Sequence, residues 1–376
     1  MNESLHRSMI ATRELQDRVE RWFLADKRAL HGVALCRILA GLSIFGLLAT
    51  NFRSRSLLAG PASVWAKPAH DLSEFPEIGL VSGHSAAYVT IFYIATMILS
   101  LLFIFGWHTR LVGVLALLGH VALIEQNPVI GDQGDNVLRI GMMWLLFMHS
   151  SEVWSLDARR RRRNAELSLS GVPARERVTN GLKNLWHAQP VLPRWLTNGV
   201  HNIALSGLAF QVVVIYIAAG MFKTQGALWQ HGTALYYPLQ LQEYQPIPFL
   251  THLLVTNGVI LGISTYLAVF IQLMFAPLLF NRITRRIALT FVVLLHLAIA
   301  VLMALPWFSL AMVAYDAIFV STSTYIALDK WLRVQWRPVT DRFRAVVDPV
   351  LERFGKTTTP QRWSFAPPRS RRPPGA

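Results

Sequence analysis

The sequence predicts an all-α, polytopic integral membrane protein, a bundle of about eight transmembrane helices with both termini cytoplasmic. Three observations predict it. Of the 376 residues, 53% are hydrophobic and only 15% charged, against ~25% charged in soluble domains, and the mean hydropathy is +0.37. Apolar runs long enough to cross a bilayer recur through most of the chain, and the basic residues alternate between the loops that join them.

A net charge of +15 on a soluble chain would suggest a nucleic-acid partner. Here the basic residues are divided among separate loops, so the charge points to no nucleic-acid site. The single cysteine, Cys36, excludes a disulfide framework, a Cys-rich zinc site and a CxxC redox motif, each of which needs at least two.

A helix crossing the hydrocarbon core needs ~20 mostly apolar residues. Eight runs qualify, at 32–51, 86–106, 111–124, 136–152, 199–222, 255–280, 287–305 and 308–328. The third and fourth are the shortest and carry polar residues. Residues 1–31 form a cytoplasmic segment in which Ile10, Leu15, Val19, Trp22 and Phe23 recur at helical spacing among charged residues. That pattern suits a helix on the membrane surface or a solvated one. The membrane domain is expected over 32–328. A basic, Pro-rich cytoplasmic tail, 329–376, has the composition of a disordered segment.

Loop charge gives orientation, because cytoplasmic loops concentrate Lys and Arg. Six basic residues precede the first span, one (Arg110) follows the second, nine follow the fourth, three follow the sixth and eleven lie in the tail. Thirty of the 36 basic residues thus fall on one side. The opposite loops hold only Arg53, Arg55, Lys67 and Lys223. The expected location is the plasma membrane, multi-pass.

Ionisable groups inside spans are costly and mark candidate sites. Arg37, Arg139, His296 and Asp316 stand out. Arg37 lies near the cytoplasmic end of its span, where snorkelling would relieve it. Spans seven and eight join through a tight turn at Pro306-Trp307, which places His296 and Asp316 at similar depth, ~12–14 Å from the outer end. A carboxylate there would fix the imidazole's tautomer, as in general-base sites; equally, the two would satisfy each other as a packing contact. The outer loop IEQNPVIGDQGDNVLRIG is rich in carboxylates, with Asn136 and Arg139 on one helix face, but its spacing specifies no metal site. Lys223 is alone among basic residues in its outer loop, with Gly220 one turn earlier. It reads as a general base or as an interfacial anchor beside Trp229, Tyr236 and Tyr237.

Several stretches, in order over residues 30–325, resemble the HTTM domain shared with vitamin K-dependent gamma-carboxylase. They are CRILAGL in span one, GWHTR after span two, EVWSLDARRR after span four, AGMFK followed by Trp229 and Gly232, and the His296-to-Phe308 stretch. The resemblance implies that Lys223 stands where the family's base deprotonates reduced vitamin K, a quinone cofactor that drives carboxylation of glutamate. It also implies an exported peptide as substrate, with Asn136, Arg139, Trp229, Gly220 and Gly232 as substrate- or quinone-binding residues. Asn136 stands where the carboxylase has a histidine, and cannot donate a proton in the same way. The leading expectation is therefore a membrane protein that modifies an exported peptide with a reduced quinone, through Lys223 with His296 and Asp316. The competing one is a non-enzymatic membrane protein that binds a toxin peptide, lipid or quinone, conferring immunity or aiding export.

Overall fold

The computed structural model describes residues 2–71, 80–81, 84–169, 192–332 and 334–335. They are helical, with no strand among them. Eleven longer helices carry the architecture: α1 (Asn2–Leu24), α2 (Leu30–Thr50), α3 (Ala86–Phe105), α4 (Thr109–Glu125), α5 (Gln133–Phe147), α6 (Leu156–Leu169), α7 (Arg194–Thr224), α8 (Pro248–Thr256), α9 (Gly258–Leu273), α10 (Arg282–Leu302) and α11 (Pro306–Asp316). Residues Met1–Tyr325 form one compact unit and Ile326–Ala376 another. The Pro-rich end of the tail lies outside the described residues.

Local chemistry sets the helix ends. Ser85 caps α3 by accepting from the Tyr88 N–H, and Gly106 closes it with a φ of 66°, a left-handed conformation that glycine adopts without penalty. Asp132 and Asp135 cap α5 reciprocally, each carboxylate accepting from the other's backbone N–H. Asn257 accepts from the N–H groups of Val259 and Ile260 at the start of α9.

Among the described residues four helices, α2, α3, α7 and α10, are long and apolar enough to cross a membrane, and the number reaches six if each of two bent helix pairs is one span. Their surroundings agree: Ile91, Phe210, Phe222, Val259 and Ile283 all present exposed apolar side chains, a pattern costly in water and natural in lipid. The third and fourth expected runs do form helices, but at 17 and 15 residues α4 and α5 are shorter than the four membrane-length helices. The run at 255–280 is not one straight helix. Asn257 starts a new helix at 95° to α8, because its side chain serves the α9 N–H groups that α8 would otherwise bond.

α2 is the spine of the core, packed along α3 and α11. A Cβ on Gly41 would stand 2.7 Å from Ile104 Cγ1 and 3.2 Å from the Ser100 carbonyl, and one on Gly46 would collide with the Trp307 ring. Small residues thus let α3 and the α10–α11 turn approach the spine closely, the usual basis of helix association in lipid. Trp307 is pinned there: Ser43 Oγ donates to its carbonyl at 2.8 Å, and its indole N–H donates to Thr50 Oγ1 at 3.0 Å.

At its other end the spine carries Arg37. The expected snorkelling is not what the fold shows. Arg37 is fully buried and donates to the Trp154 carbonyl at 2.7 Å, close under the Gly106 turn, where a Cβ would strike its guanidinium. The first turns of α7 hold the N-terminal segment. Asn198 donates to the carbonyls of Leu24 and Ala25, and Asn202 to those of Phe23 and Asp26. α1 is a helix whose Ile10, Leu15 and Val19 are exposed.

Candidate functional site

α7, α10 and α11 bring three polar side chains together inside the apolar core. Tyr216 Oη donates to Asp316 Oδ2 at 2.8 Å and lies 3.4 Å from His296 Nε2. All three are buried. Tyr216 therefore links His296 and Asp316, the two residues that span depth alone placed near one another. His296 Nδ1 and Asp316 Oδ1 have no protein partner, so each keeps one unused hydrogen-bonding atom in an apolar setting. Aromatic rings wall the cluster, with Phe275 4.5 Å from Tyr216 and Phe308 6.1 Å from His296, centroid to centroid.

Two helical turns beyond Tyr216, the α7 face ends in Lys223. Its Nζ donates to Gln272 Oε1 at 2.9 Å and lies 3.4 Å from the Ala219 carbonyl. It also sits 5.2 Å from the centre of the Trp229 ring, a cation–π distance. No carboxylate pairs with it among the described residues. Gly220 makes the Gln272 contact available: a Cβ there would stand 2.8 Å from Leu273 Cγ and 3.0 Å from the Leu273 nitrogen, so α7 and α9 meet without a side chain between them. Gly232, at φ 73°, lets the chain turn back under Tyr266, whose hydroxyl donates to the Gln230 carbonyl at 2.8 Å.

Beside α9 and α10 lies an apolar cavity of about 340 Å³. Leu235, Leu239, Ala268, Ile271, Leu295 and Ile299 contribute to its wall, with Ser264 as a polar point. Lys223, His296 and Asp316 do not line it. Gln272, which holds Lys223, directly follows the wall residue Ile271, and His296 directly follows the wall residue Leu295.

Asn136 and Arg139 belong to a separate cluster. Arg139 donates to Asn136 Oδ1 at 2.8 Å and to Glu125 Oε1 at 2.9 Å. His120, a buried residue of α4, places Nε2 3.4 Å from Asp135 Oδ1. Burial, then the neighbouring Asp135 charge, raises the Asp132 carboxyl above its usual range. The two clusters touch through Phe308, which meets His296 on one side and whose Cα would be 3.1 Å from a Cβ on Gly134 on the other. Among the described residues no three His, Cys, Asp or Glu side chains gather as a metal site.

Sequence reasoning missed Tyr216, Gln272 and His120. Each left a signal as an isolated hydrogen-bonding residue in an apolar run: VVVIYIAAG, AVFIQLMF and LLGHVAL.

No curated protein and no solved structure matches the chain. Residues 189–323, the stretch that holds Tyr216, Lys223, Trp229, Gln272, His296 and Asp316, match the family model of the HTTM domain.

Proposed function

We propose that this multi-pass protein of the plasma membrane, with both termini cytoplasmic, uses a reduced quinone to modify an exported peptide, with Lys223 as the base. The single observation that carries the reading is the setting of Lys223: an amine at the end of an apolar helix, held by the neutral acceptor Gln272 and unpaired with any carboxylate among the described residues. A base needs a free lone pair when substrate arrives. A lysine locked to a carboxylate keeps its proton, whereas Gln272 Oε1 accepts an N–H from the amine as well as from the ammonium. Tyr216 holds Asp316 and His296 at a fixed orientation, and His296 Nδ1 is left open to exchange a proton.

The apolar cavity, lined by Ala268, Ile271, Leu295 and Ile299 among others, would take the apolar part of such a cofactor. A quinone in reduced form would supply the acidic hydroxyl that Lys223 deprotonates and the electrons that dioxygen takes up, while addition of carbon dioxide to the peptide itself involves no net redox change. Asn136 and Arg139, already tied to Glu125, would hold a polar end of the peptide at the outer loop rather than donate a proton.

The test is the peptide's mass. The protein is co-expressed with its exported peptide, and mass spectrometry looks for an added carbon dioxide in the presence of wild type, Lys223→Ala and Lys223→Arg. Modification by wild type and neither variant is expected, because arginine keeps the charge but does not release its proton. Activity in Lys223→Arg would overturn the base assignment.

One observation favours a second reading, a binding protein without catalysis: the cavity wall includes none of the three ionisable residues. On that reading the peptide mass is unchanged by wild type, while quinone or lipid still binds and cavity-filling substitutions such as Ala268→Phe abolish binding.

A further inference from the structure

The turn between α3 and α4 and the first turns of α6 form one surface at a membrane boundary. Phe105 is the last residue of the membrane-length helix α3. Directly after it, the Gly106 carbonyl accepts from the Asp157 N–H at 3.0 Å. The Asp157 carboxylate then accepts from the N–H groups of His108 and Thr109, at 3.1 and 2.9 Å, and from Thr109 Oγ1 at 2.8 Å. Arg160 pairs with Asp157 at 3.1 Å and with His108 Nε2 at 3.0 Å. A buried carboxylate therefore fixes α6 against the end of a span, and the run Arg159–Arg163 cannot drift from that level.

Two of those arginines are used internally, Arg160 on Asp157 and Arg161 on Glu152. The other three, Arg159, Arg162 and Arg163, are exposed, and among the described side chains no carboxylate pairs with them. Beside them the same surface exposes Phe105, Trp107, Leu111 and Leu156. Exposed guanidinium groups next to apolar and aromatic side chains, at the depth where a span ends, match a phospholipid in both halves: charge for the headgroup phosphate, apolar surface for the upper acyl chain.

We propose that this surface is a docking site for anionic phospholipid, with Arg159, Arg162 and Arg163 as its headgroup ligands. It is distinct from the Lys223 region and independent of what that region does. The attraction is electrostatic and selects anionic over zwitterionic lipid. It weakens with salt, since the screening length falls from ~10 Å at 0.1 M to ~3 Å at 1 M.

The experiment uses the full-length protein purified in detergent and equilibrated with equal amounts of phosphatidylglycerol and phosphatidylcholine, followed by quantitation of the lipid that stays bound. Wild type is expected to retain phosphatidylglycerol preferentially. The triple variant Arg159→Gln/Arg162→Gln/Arg163→Gln should lower that enrichment about tenfold while melting at the wild-type temperature in lipid-free detergent, because these side chains are exposed. A control, Arg282→Gln/Arg285→Gln/Arg286→Gln, removes the same charge from the first turns of α10 and should leave the enrichment intact. Unchanged enrichment in the first variant, or an equal loss in the control, overturns the site; so does an enrichment that survives 1 M salt, tested as the high-salt limit of screening.

Discussion

Tyr216 and Asp316, one hundred residues apart, meet at 2.8 Å through a single hydroxyl that also faces His296. This contact ties α7 to the end of α11. Tyr216→Phe keeps the ring against Phe275 but leaves the second carboxylate oxygen unpaired as well. The expected loss is ~1–3 kcal/mol, the cost of an unsatisfied buried polar group. Thermal unfolding in detergent of Tyr216→Phe, Asp316→Asn and the double variant measures it. Coupling of ~0.5–3 kcal/mol is expected for residues in contact, and strict additivity would show that the pair carries no shared energy.

Asp157 anchors the opposite side of the bundle with three hydrogen bonds and one ion pair. Asp157→Ala removes the cap of α4 and frees α6 together. Bonds to a charged acceptor and loss of a cap together predict ~3 kcal/mol of destabilisation. Asp157→Asn retains one acceptor oxygen and should lose less. Equal melting temperatures for Asp157→Ala and wild type would contradict the anchoring role.

His149, between α5 and α6, gives stability a pH dependence. Burial, then the charges of Lys27 and Arg110, lower it from its ordinary 6.5 to about 3. The unfolded chain takes up the proton near 6.5 and the folded chain only near 3, so between these values the unfolded state binds more protons. Stability is therefore full above 6.5 and is lost as the pH falls toward 3. Glu152, held low against the effect of its own burial by the Lys27 bond and the Arg161 charge, adds a loss in the same direction, beginning only below its ordinary 4.5. Unfolding followed from neutral pH down to that point should show a slope in wild type that is reduced in His149→Gln. An unchanged slope would assign the dependence to other groups.

Hydropathy and loop charge made the helices and the ionisable residues within them legible, because both depend on stretches of the chain taken one at a time. The pairing of those residues was not. His296 and Asp316 were placed at similar depth by counting residues from the Pro306 turn, but Tyr216 lies 80 residues before His296, and only the rotation of α7 about its axis brings it between them. Gln272 escaped notice for the same reason. A neutral amide costs less in an apolar run than a charge, so it stands out weakly until Lys223 is found beside it. The bend at Asn257 was hidden because the window around Thr256-Asn257-Gly258 is apolar on average, and hydropathy does not record the side chain that caps a new helix.

Gly220 and Gln272 separate two ways of disturbing Lys223. Gly220→Ala inserts a Cβ where Leu273 Cγ would be 2.8 Å away and the Leu273 nitrogen 3.0 Å away. The side chain can turn aside, but the backbone atom cannot, so α7 and α9 must part slightly, at an expected ~1–3 kcal/mol. The Lys223–Gln272 bond then lengthens and the amine becomes more open. Gln272→Leu removes the acceptor without moving the helices and should cost less stability. Both variants are expected to raise the rate at which an amine-selective reagent modifies Lys223, but only Gly220→Ala should lower the melting temperature markedly. Faster labelling in neither variant would mean that Gln272 does not hold the amine. Faster labelling in Gly220→Ala alone would mean that helix contact restrains Lys223, with the hydrogen bond a bystander.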